Sequence, residues 1–470
     1  MKNHLPKKSI MRKNNNKNLP SQRNAVLRFA NLLLFGIFFW MGLLHIPLVW
    51  DGAFHLFRVL DSGRVFPVHG RFSIALLHYP SILLSGFTDN LFLIKSLFSL
   101  GYTLIPVFSF LALLKILPKS RKSRNFLFLS FLGIFILPLP GQFFFVSESI
   151  FCVQLAWLFW GLLLIPDSLR KWISISVLGL FLFFAHPVSG PIFFLSGLIL
   201  GLDLFFGLRK KSGFQMGLVF LFFLLFVLRF LYIQPGYETH EMERAQVMDN
   251  LEKALSGYAK VFLIGLFGFL ALSLRFRPGR KFIFSIGIIF LFFLSGMGLI
   301  NLSAVEWRYR ISYRYLVFFA SLPIFGIFFY ERYIPELRRY VSIPRRFSFF
   351  RLPFYEFLPI GAMAVVVFLG LQSFSYLKVR TLLERDLKGF QGCKDQSSLP
   401  YLGETIYYHW AFPYYTILLG KREVTRFFAV DIPCDTIYKT GKLQLHRLDR
   451  EVGKGWFRFS KTIAEPKSKN

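Results

Sequence analysis

Three side chains suited to acid–base chemistry and anion binding recur at helical spacing in the stretch from Val49 to Pro67. Asp51, His55 and Arg58 lie within about 60° of one another on a helix, and apolar residues fill the opposite arc. A carboxylate can accept a proton from a hydroxyl group, and a guanidinium group can hold a phosphate. The same pattern also fits Asp51 as a helix cap and Arg58 as a contact to lipid phosphate.

The surroundings of this stretch predict where it lies. Gly63 is a helix-stop signal and Pro67 prevents the helix from resuming, so we expect a helix over residues 51–62. The apolar run before it, residues 26–49, is long enough to cross a bilayer and lacks a signal-peptide cleavage pattern. We therefore expect the amphipathic helix to lie along the outer membrane surface rather than to cross the membrane.

Further candidates lie near the predicted ends of other helices. Glu148 is a second carboxylate, which either takes part in catalysis or simply stands near a helix N-terminus. His78 and His186 are either substrate-contacting side chains or helix-end residues that hydrogen-bond to carbonyls. Lys95 and Arg229 lie within or near the ends of apolar runs, where we expect their charged groups to reach towards the interface.

One basic cluster departs from the usual preference of Lys and Arg for the cytoplasmic side of a membrane. It lies on the predicted outer side and consists of Arg308, Arg310 and Arg314. Holding the phosphate of a lipid-linked substrate would explain these residues. Contact with lipid headgroups, or pairing with Glu306, is the alternative.

Apolar runs of membrane-crossing length recur along the chain, which is 54% hydrophobic, and they predict an all-α polytopic membrane protein. Basic residues concentrate in the N-terminal tail and in every second loop. The net charge of +31 therefore indicates membrane orientation rather than a nucleic-acid partner. We expect eleven transmembrane helices, near residues 26–49, 92–117, 126–146, 149–165, 173–189, 190–206, 214–234, 258–274, 282–300, 314–330 and 355–376.

The predicted organisation has three regions. Residues 1–28 form a basic, disordered, cytoplasmic tail, and residues 29–376 form the transmembrane domain. An odd number of crossings places residues 377–470 on the extracytoplasmic side, where mixed short apolar stretches predict a small α+β domain. Cys393 and Cys434 both lie in this last region, and the sequence leaves open whether they form a disulfide.

The layout and several short motifs resemble the GT-C superfamily of polyprenyl-phosphate-sugar-dependent glycosyltransferases. The segment D-G-A-F-H-L-F-R is similar to the D-x3-H-x2-R part of the D-x3-H-x2-R…G-x-x-P pattern of a bacterial membrane group with this architecture, while G-R-V-F-P, which follows, has one residue more between Gly and Pro than that pattern. The segment V-S-E-S-I-F resembles the acidic residue that opens a span after the second outer loop, and R-I-S-Y-R-Y-L resembles the start of a late span. In layout the resemblance covers residues 30–330.

The resemblance implies a GT-C-like fold and inverting transfer of a sugar from a polyprenyl-phosphate donor to a lipid, glycan or protein acceptor in the bacterial inner membrane. Asp51 matches the acidic residue that serves as base or metal ligand in the superfamily. Because the first outer loop has no clear Asp-x-Asp or Glu-x-Asp, we expect base catalysis without a metal or other cofactor. The expected substrate-binding residues are His55, Arg58, His78, His186, Arg308, Arg310 and Arg314, with Glu148 as a second catalytic carboxylate.

Three other functions fit parts of the same pattern. A transporter or flippase of lipid-linked glycans would place charged residues deep inside several spans, where this sequence has few. A polysaccharide polymerase or ligase would have a large outer loop in mid-chain, whereas the longest predicted here is about 22 residues. A scaffold role would leave Asp51 without a chemical task, so substitution of this residue separates it from catalysis.

Overall fold

The structure is a computed structural model, and it describes most of the residues predicted for the site. It covers residues 19–49, 51–65, 71–136, 138, 148–232, 324–330, 332–341, 354–395, 398–399, 411–430, 434, 438–439, 442–445, 448–451 and 455–460. The spans predicted near 258–274 and 282–300 lie outside these residues.

The described chain is mostly helical. In chain order the helices are α1 (Leu19–Leu43), α2 (Asp51–Ser62), α3 (Phe72–Ser85), α4 (Leu91–Thr103), α5 (Ile105–Ile116), α6 (Arg121–Phe131), α7 (Glu148–Leu164), α8 (Leu169–Phe183), α9 (Ser189–Phe205), α10 (Gly213–Leu231), α11 (Phe354–Lys388) and α12 (Phe412–Leu419). A 3-10 turn, Ile46–Val49, leads into α2, and residues 324–330 and 332–337 are also helical. Since α1 begins at Leu19, the last part of the predicted disordered tail is helical.

Three described segments are apolar and long enough to cross a membrane, namely Ala25–Leu43, Gly213–Leu231 and Leu358–Lys388. Helices α4 and α5 make a fourth candidate if this pair, bent by 45°, counts as one span. The bend falls where Pro106, which lacks a backbone N–H, stands in the first turn of α5. These segments support the predicted membrane protein, whereas eleven crossings remain a prediction.

Helix α7 is surrounded by protein on all sides. Nearly all of its residues are buried, whereas α8 and α10 each leave apolar side chains exposed, as helices that face lipid do. The helix also packs very closely on the π-helical turn Leu132–Ile136, which continues α6. A Cβ atom added at Gly133 would lie 2.0 Å from the indole nitrogen of Trp157, so this position requires glycine. α7 is therefore a buried central helix of the described chain.

At the C-terminal end of α7, a fully buried carboxylate holds several chain segments together. Asp203 accepts hydrogen bonds from Arg332 at 2.8 and 2.7 Å, from Tyr333 Oη at 2.9 Å and from Arg209 Nε at 3.0 Å. Arg209 also donates to the carbonyl of Leu163, at the end of α7. We call Asp203, Arg209, Arg332 and Tyr333 the Asp203 network.

The C-terminal part of the described chain combines α12 with short strands. β1 (Gly392–Asp395) pairs in parallel with β3 (Arg426–Ala429), and β2 (Glu423–Val424) pairs in parallel with β7 (Arg458–Phe459). β4 (Tyr438–Lys439), β5 (Lys442–Leu445) and β6 (Leu448–Glu451) form an antiparallel sheet. A disulfide joins Cys393 to Cys434, with their Cα atoms 5.6 Å apart, so the bridge that the sequence left open is present. Helix α11 continues past the predicted domain boundary at residue 377 to Lys388.

Candidate functional site

Helix α2 has the bounds that the sequence predicts. It runs from Asp51 to Ser62, and Gly63 follows with a φ of 62°, the left-handed conformation that glycine adopts at helix ends. Asp51 is the first residue of the helix and Arg58 lies two turns later, with its guanidinium group 5.7 Å from the ring centre of Phe54. Both charged side chains are partly exposed.

Protein covers the apolar arc of α2, whose expected position along the membrane surface stays a prediction. A surface helix would bury this arc in lipid, but Phe57 is fully buried by protein. Its ring stacks on Phe457 at 4.8 Å, and Tyr414 lies 5.1 Å from Phe57 and 5.2 Å from Phe54. The backbone N–H of Phe457 also donates to Asp61 at 3.4 Å. The C-terminal segment therefore covers the face that hydropathy assigned to the membrane.

The opposite side of α2 brings two predicted histidines together. His55 is buried, and its ring centre lies 5.4 Å from that of His78 in α3. His78 is buried as well, and its Nε2 forms a 2.6 Å hydrogen bond with the hydroxyl of Tyr102 in α4. Three helices thus supply one side chain each to a polar group within the protein.

A buried ion pair lies beside these histidines. Glu148, the first residue of α7, accepts from Arg71 Nη1 at 2.9 Å, and the two side chains are only 6% and 9% exposed. An acidic residue in the first turn of a helix is favoured by the helix dipole, so α7 itself stabilises the carboxylate. The sequence predicted Glu148, but it did not single out Arg71. We call His55, Arg71, His78, Tyr102 and Glu148 the His55 cluster.

The electrostatics of the cluster keep His55 uncharged. Burial lowers the pKa of His55 from 6.5 to about 4. The negative charge of Glu148 opposes this shift, while the positive charges of Arg71 and Arg58 reinforce it. At neutral pH the imidazole is therefore neutral, and it can either accept or donate a hydrogen bond to a ligand.

The other predicted candidates have different outcomes. His186 lies just before α9, where its Nδ1 accepts a hydrogen bond from the backbone N–H of Val188 at 3.2 Å. This contact is made at a helix start with an N–H rather than with a carbonyl, and substrate contact by His186 stays a prediction. Arg308, Arg310 and Arg314 lie outside the described residues, so their phosphate-binding role stays a prediction. Among the residues that the structure describes, no group of three His, Cys, Asp or Glu side chains is placed to hold a metal ion.

Two basic residues of apolar helices bond to backbone carbonyls within the protein, and the expectation that they reach towards the interface stays a prediction. Lys95 is 6% exposed, and its Nζ donates to the carbonyl of Leu418 at 2.7 Å. Arg229 is 3% exposed, and its Nη1 donates to the carbonyl of Tyr232 at 3.3 Å. In both cases the charged group therefore donates to a carbonyl near a helix end.

Two members of the His55 cluster were missed from the sequence, for identifiable reasons. Arg71 stands alone between Gly70 and an apolar helix, and this isolated cation at a helix start was the available signal. Tyr102 lies in a predicted span, where a tyrosine usually indicates packing or an interface position. No known protein family matches the chain, and no curated protein or solved structure matches it.

Proposed function

We propose that the protein is a membrane glycosyltransferase that moves a sugar from a polyprenyl-phosphate donor to a lipid, glycan or protein acceptor on the outer face of the membrane. The observation that carries this proposal is the His55 cluster beside α2. There, a buried arginine–carboxylate pair and two histidines lie next to a helix that begins with Asp51. Transfer from a lipid phosphate requires such a combination of proton acceptor and anion-binding groups.

In the proposed reaction Asp51 removes the proton from the acceptor hydroxyl. The acceptor oxygen then forms a bond to the anomeric carbon of the sugar, and the bond between that carbon and the phosphate oxygen breaks. The electron pair leaves with the polyprenyl phosphate, whose charge Arg58 and the predicted arginines at 308, 310 and 314 stabilise. Attack from the side opposite the leaving phosphate inverts the anomeric carbon. The proposal includes no metal ion.

The membrane setting of the proposal rests on the apolar helices. Three described segments have the length and composition of membrane spans. We propose a multi-pass protein of the bacterial inner membrane with a GT-C-like arrangement of eleven helices, a cytoplasmic N-terminus and an extracytoplasmic C-terminal region. The basic tail and the basic alternate loops support this orientation.

A transporter or flippase of lipid-linked glycans is the second candidate, because two cations are buried in apolar helices. Lys95 and Arg229 are those cations, and a flippase would need such charges along a path through the spans. However, Lys95 is the fifth residue of α4 and Arg229 stands in the last turn of α10, so both lie near helix ends. A polymerase or ligase of lipid-linked glycans remains the third alternative.

Complementation of a deletion strain, read by mass spectrometry of its lipid-linked and finished glycans, tests the proposal. Asp51→Asn should reduce the product by at least about 100-fold at normal expression, since a positioned general base contributes roughly that factor. Asp61→Asn is the matched control on the same helix, and it retains an acceptor for the N–H of Phe457. Unchanged product with Asp51→Asn would remove the catalytic role, and accumulation of untransported donor would favour the flippase.

A further inference from the structure

Four large side chains form one exposed face of α3: Phe72, Leu76, Tyr79 and Leu83. We propose that this face lies against hydrocarbon chains in the outer leaflet of the membrane, and that α3 continues α8 as the outer half of a broken span. Helix α3 then separates lipid from the His55 cluster, to which His78 contributes from the opposite face. This lipid contact does not depend on the proposed function, because it concerns the surroundings of the cluster rather than a reaction.

The distribution of side chains on α3 is the reverse of that on a water-exposed helix. The four residues of the exposed face fall within about 60° of one another on a helix, and each is at least 50% exposed. The polar residues Ser73, His78 and Ser81 are buried instead. A helix that borders water exposes its polar residues and buries its apolar ones. The exposed face of α3 therefore has the composition of a surface that borders lipid.

The stretch that contains α3 is also free of charge. Between Arg71 and Asp89 the sequence has no Lys, Arg, Asp or Glu. A helix that lies on a membrane surface turns a strongly polar or charged face towards water, whereas the polar face of α3 packs against protein. Because charged side chains are costly in hydrocarbon, their absence favours a helix within the leaflet over one on its surface.

The exposed face of α3 continues an exposed apolar face of α8. Three residues that are at least 54% exposed form that face of α8: Ile173, Val177 and Leu180. At the junction the ring centre of Phe72 lies 6.0 Å from that of Phe184, the residue after α8. The hydroxyl of Ser73 donates to the carbonyl of Phe181 at 2.5 Å, in the last turn of α8, where carbonyls lack partners within the helix. α3 therefore begins where α8 ends.

The lengths of the two helices fit a broken span. α8 has 15 residues and α3 has 14. At about 1.5 Å per residue each helix is roughly 20 Å long, which is less than the hydrocarbon core of about 30 Å. Placed end to end they reach about 44 Å, the thickness of a bilayer with its headgroup regions.

Helix α4 indicates the depth of α3 independently. His78 bonds with Tyr102 near the end of α4 at 2.6 Å, and residues 86–90 join the end of α3 to the start of α4, so the two helices are antiparallel neighbours. α4 and α5 together form a candidate span, and the basic loop after α5 is predicted to be cytoplasmic. α4 is then the outer half of that span, and α3 lies beside it in the same leaflet.

Electron paramagnetic resonance on the full chain in vesicles of phosphatidylcholine and phosphatidylglycerol tests the lipid contact. A nitroxide on Leu76→Cys reports collisions with oxygen, which dissolves in hydrocarbon, and with a water-soluble nickel chelate. The ratio of oxygen to chelate collisions should exceed that at Lys421→Cys, an exposed position of the C-terminal segment, by at least about tenfold, because hydrocarbon excludes the polar chelate.

Matched positions make the measurement specific to α3. Leu180→Cys, on the exposed face of α8, should give a ratio like that of Leu76→Cys. Leu83→Cys should give a ratio between those of Leu76→Cys and Lys421→Cys, because α3 rises towards the outer interface. The native cysteines do not compete for the label, since Cys152 is buried and the other two form a disulfide. All the substituted side chains are exposed, so each variant should retain the fold.

Two results would overturn the lipid contact. A ratio at Leu76→Cys as low as that at Lys421→Cys would show that the exposed face of α3 borders water. Few collisions with either reagent would show that protein covers this face, and dipolar broadening between labels would identify that protein as a second copy of the chain. Neither result bears on the proposed function, which Asp51→Asn tests separately.

Discussion

The two ends of α7 hold buried charge in different ways. At its C-terminal end, the Asp203 carboxylate accepts from Arg209, which lies six residues later, and from the neighbouring pair Arg332 and Tyr333, which lies about 130 residues further along the chain. At its N-terminal end, Glu148 is paired with Arg71 beside neutral histidines. The first arrangement uses its hydrogen-bonding capacity to join helices. The second keeps polar groups that can change partner or protonation state inside an apolar protein.

This difference fits the proposed function, in which the Asp203 network is structural and the His55 cluster belongs to the site. Burying a charge is expensive, and several strong donors around one carboxylate offset that cost in a fixed geometry. Neutral imidazoles offer less stabilisation, but they respond to a ligand or a proton. Substitutions at the two ends should therefore separate loss of stability from loss of activity.

The largest effect on stability should come from the Asp203 network. Asp203→Ala removes a fully buried carboxylate and leaves Arg332 partly buried without its ion-pair partner, while Arg209 keeps Asp167, so the free energy of unfolding should fall by about 3 kcal/mol. Glu148→Gln retains the shape of the side chain and should cost less. Denaturation in detergent, followed by circular dichroism, measures both. A larger loss for Glu148→Gln would reverse the comparison.

The C-terminal segment that packs on α2 should give the next largest effect on stability. The double substitution of Cys393 and Cys434 by serine removes a cross-link over 41 residues and should lower the stability of the C-terminal segment by about 2–4 kcal/mol. Faster cleavage of that segment in limited proteolysis is the measurement. Reducing the disulfide of the wild type should reproduce the effect. The residues of the Asp203 network should stay protected from cleavage. Equal loss of protection from cleavage in the C-terminal segment and in the Asp203 network would show that this segment and the helices unfold together.

His55, at the N-terminal end of α7, should make the stability of the protein depend on pH. The pKa of His55 is about 4 in the folded protein and 6.5 when exposed, so between these values the unfolded chain binds more protons. Stability should be greatest above pH 6.5 and should fall as the pH drops towards 4, by up to about 3 kcal/mol from this residue. His55→Gln should flatten that part of the profile. An unchanged slope in the variant would contradict the assignment.

The smallest effect should come from a pair of tyrosines, one at each end. Tyr333 donates to a carboxylate, whereas Tyr102 shares a hydrogen bond with a neutral imidazole. Tyr333→Phe should cost about 1.5–3 kcal/mol and Tyr102→Phe about 1 kcal/mol. Thermal unfolding ranks the two variants. In the glycan assay the order should reverse, with Tyr102→Phe the more impaired, because it changes the orientation of His78.

The sequence predicted the local features of the site better than its contacts. Gly63 and Pro67 predict the end of α2, and a glutamate before an apolar run predicts the start of α7, because these signals act over a few residues. The pairing of Arg71 with Glu148 depends on where the residue before α3 meets the start of α7. Hydrophobic periodicity reports which face of a helix is buried, but not which residue of another helix meets it.

The same limit explains why the residues that pack on the apolar arc of α2 were not predicted. An apolar face next to a span looks the same in sequence whether lipid or protein covers it. Tyr414 and Phe457 lie in a segment whose short strands and mixed composition give weak signals, so their docking on Phe57 could not be predicted. The disulfide could not be predicted for the same reason, because it depends on how β1 approaches residue 434.

The docking of Phe457 on α2 also has a consequence for biogenesis. Asp61 and Phe457 are 396 residues apart, so the ribosome finishes the amphipathic helix long before it makes the residues that shield it. During that interval Phe54 and Phe57 have no native partner from the C-terminal segment. Nascent chains should therefore need lipid or a membrane chaperone at this helix. Early termination of synthesis should leave the apolar arc of α2 exposed beside the His55 cluster.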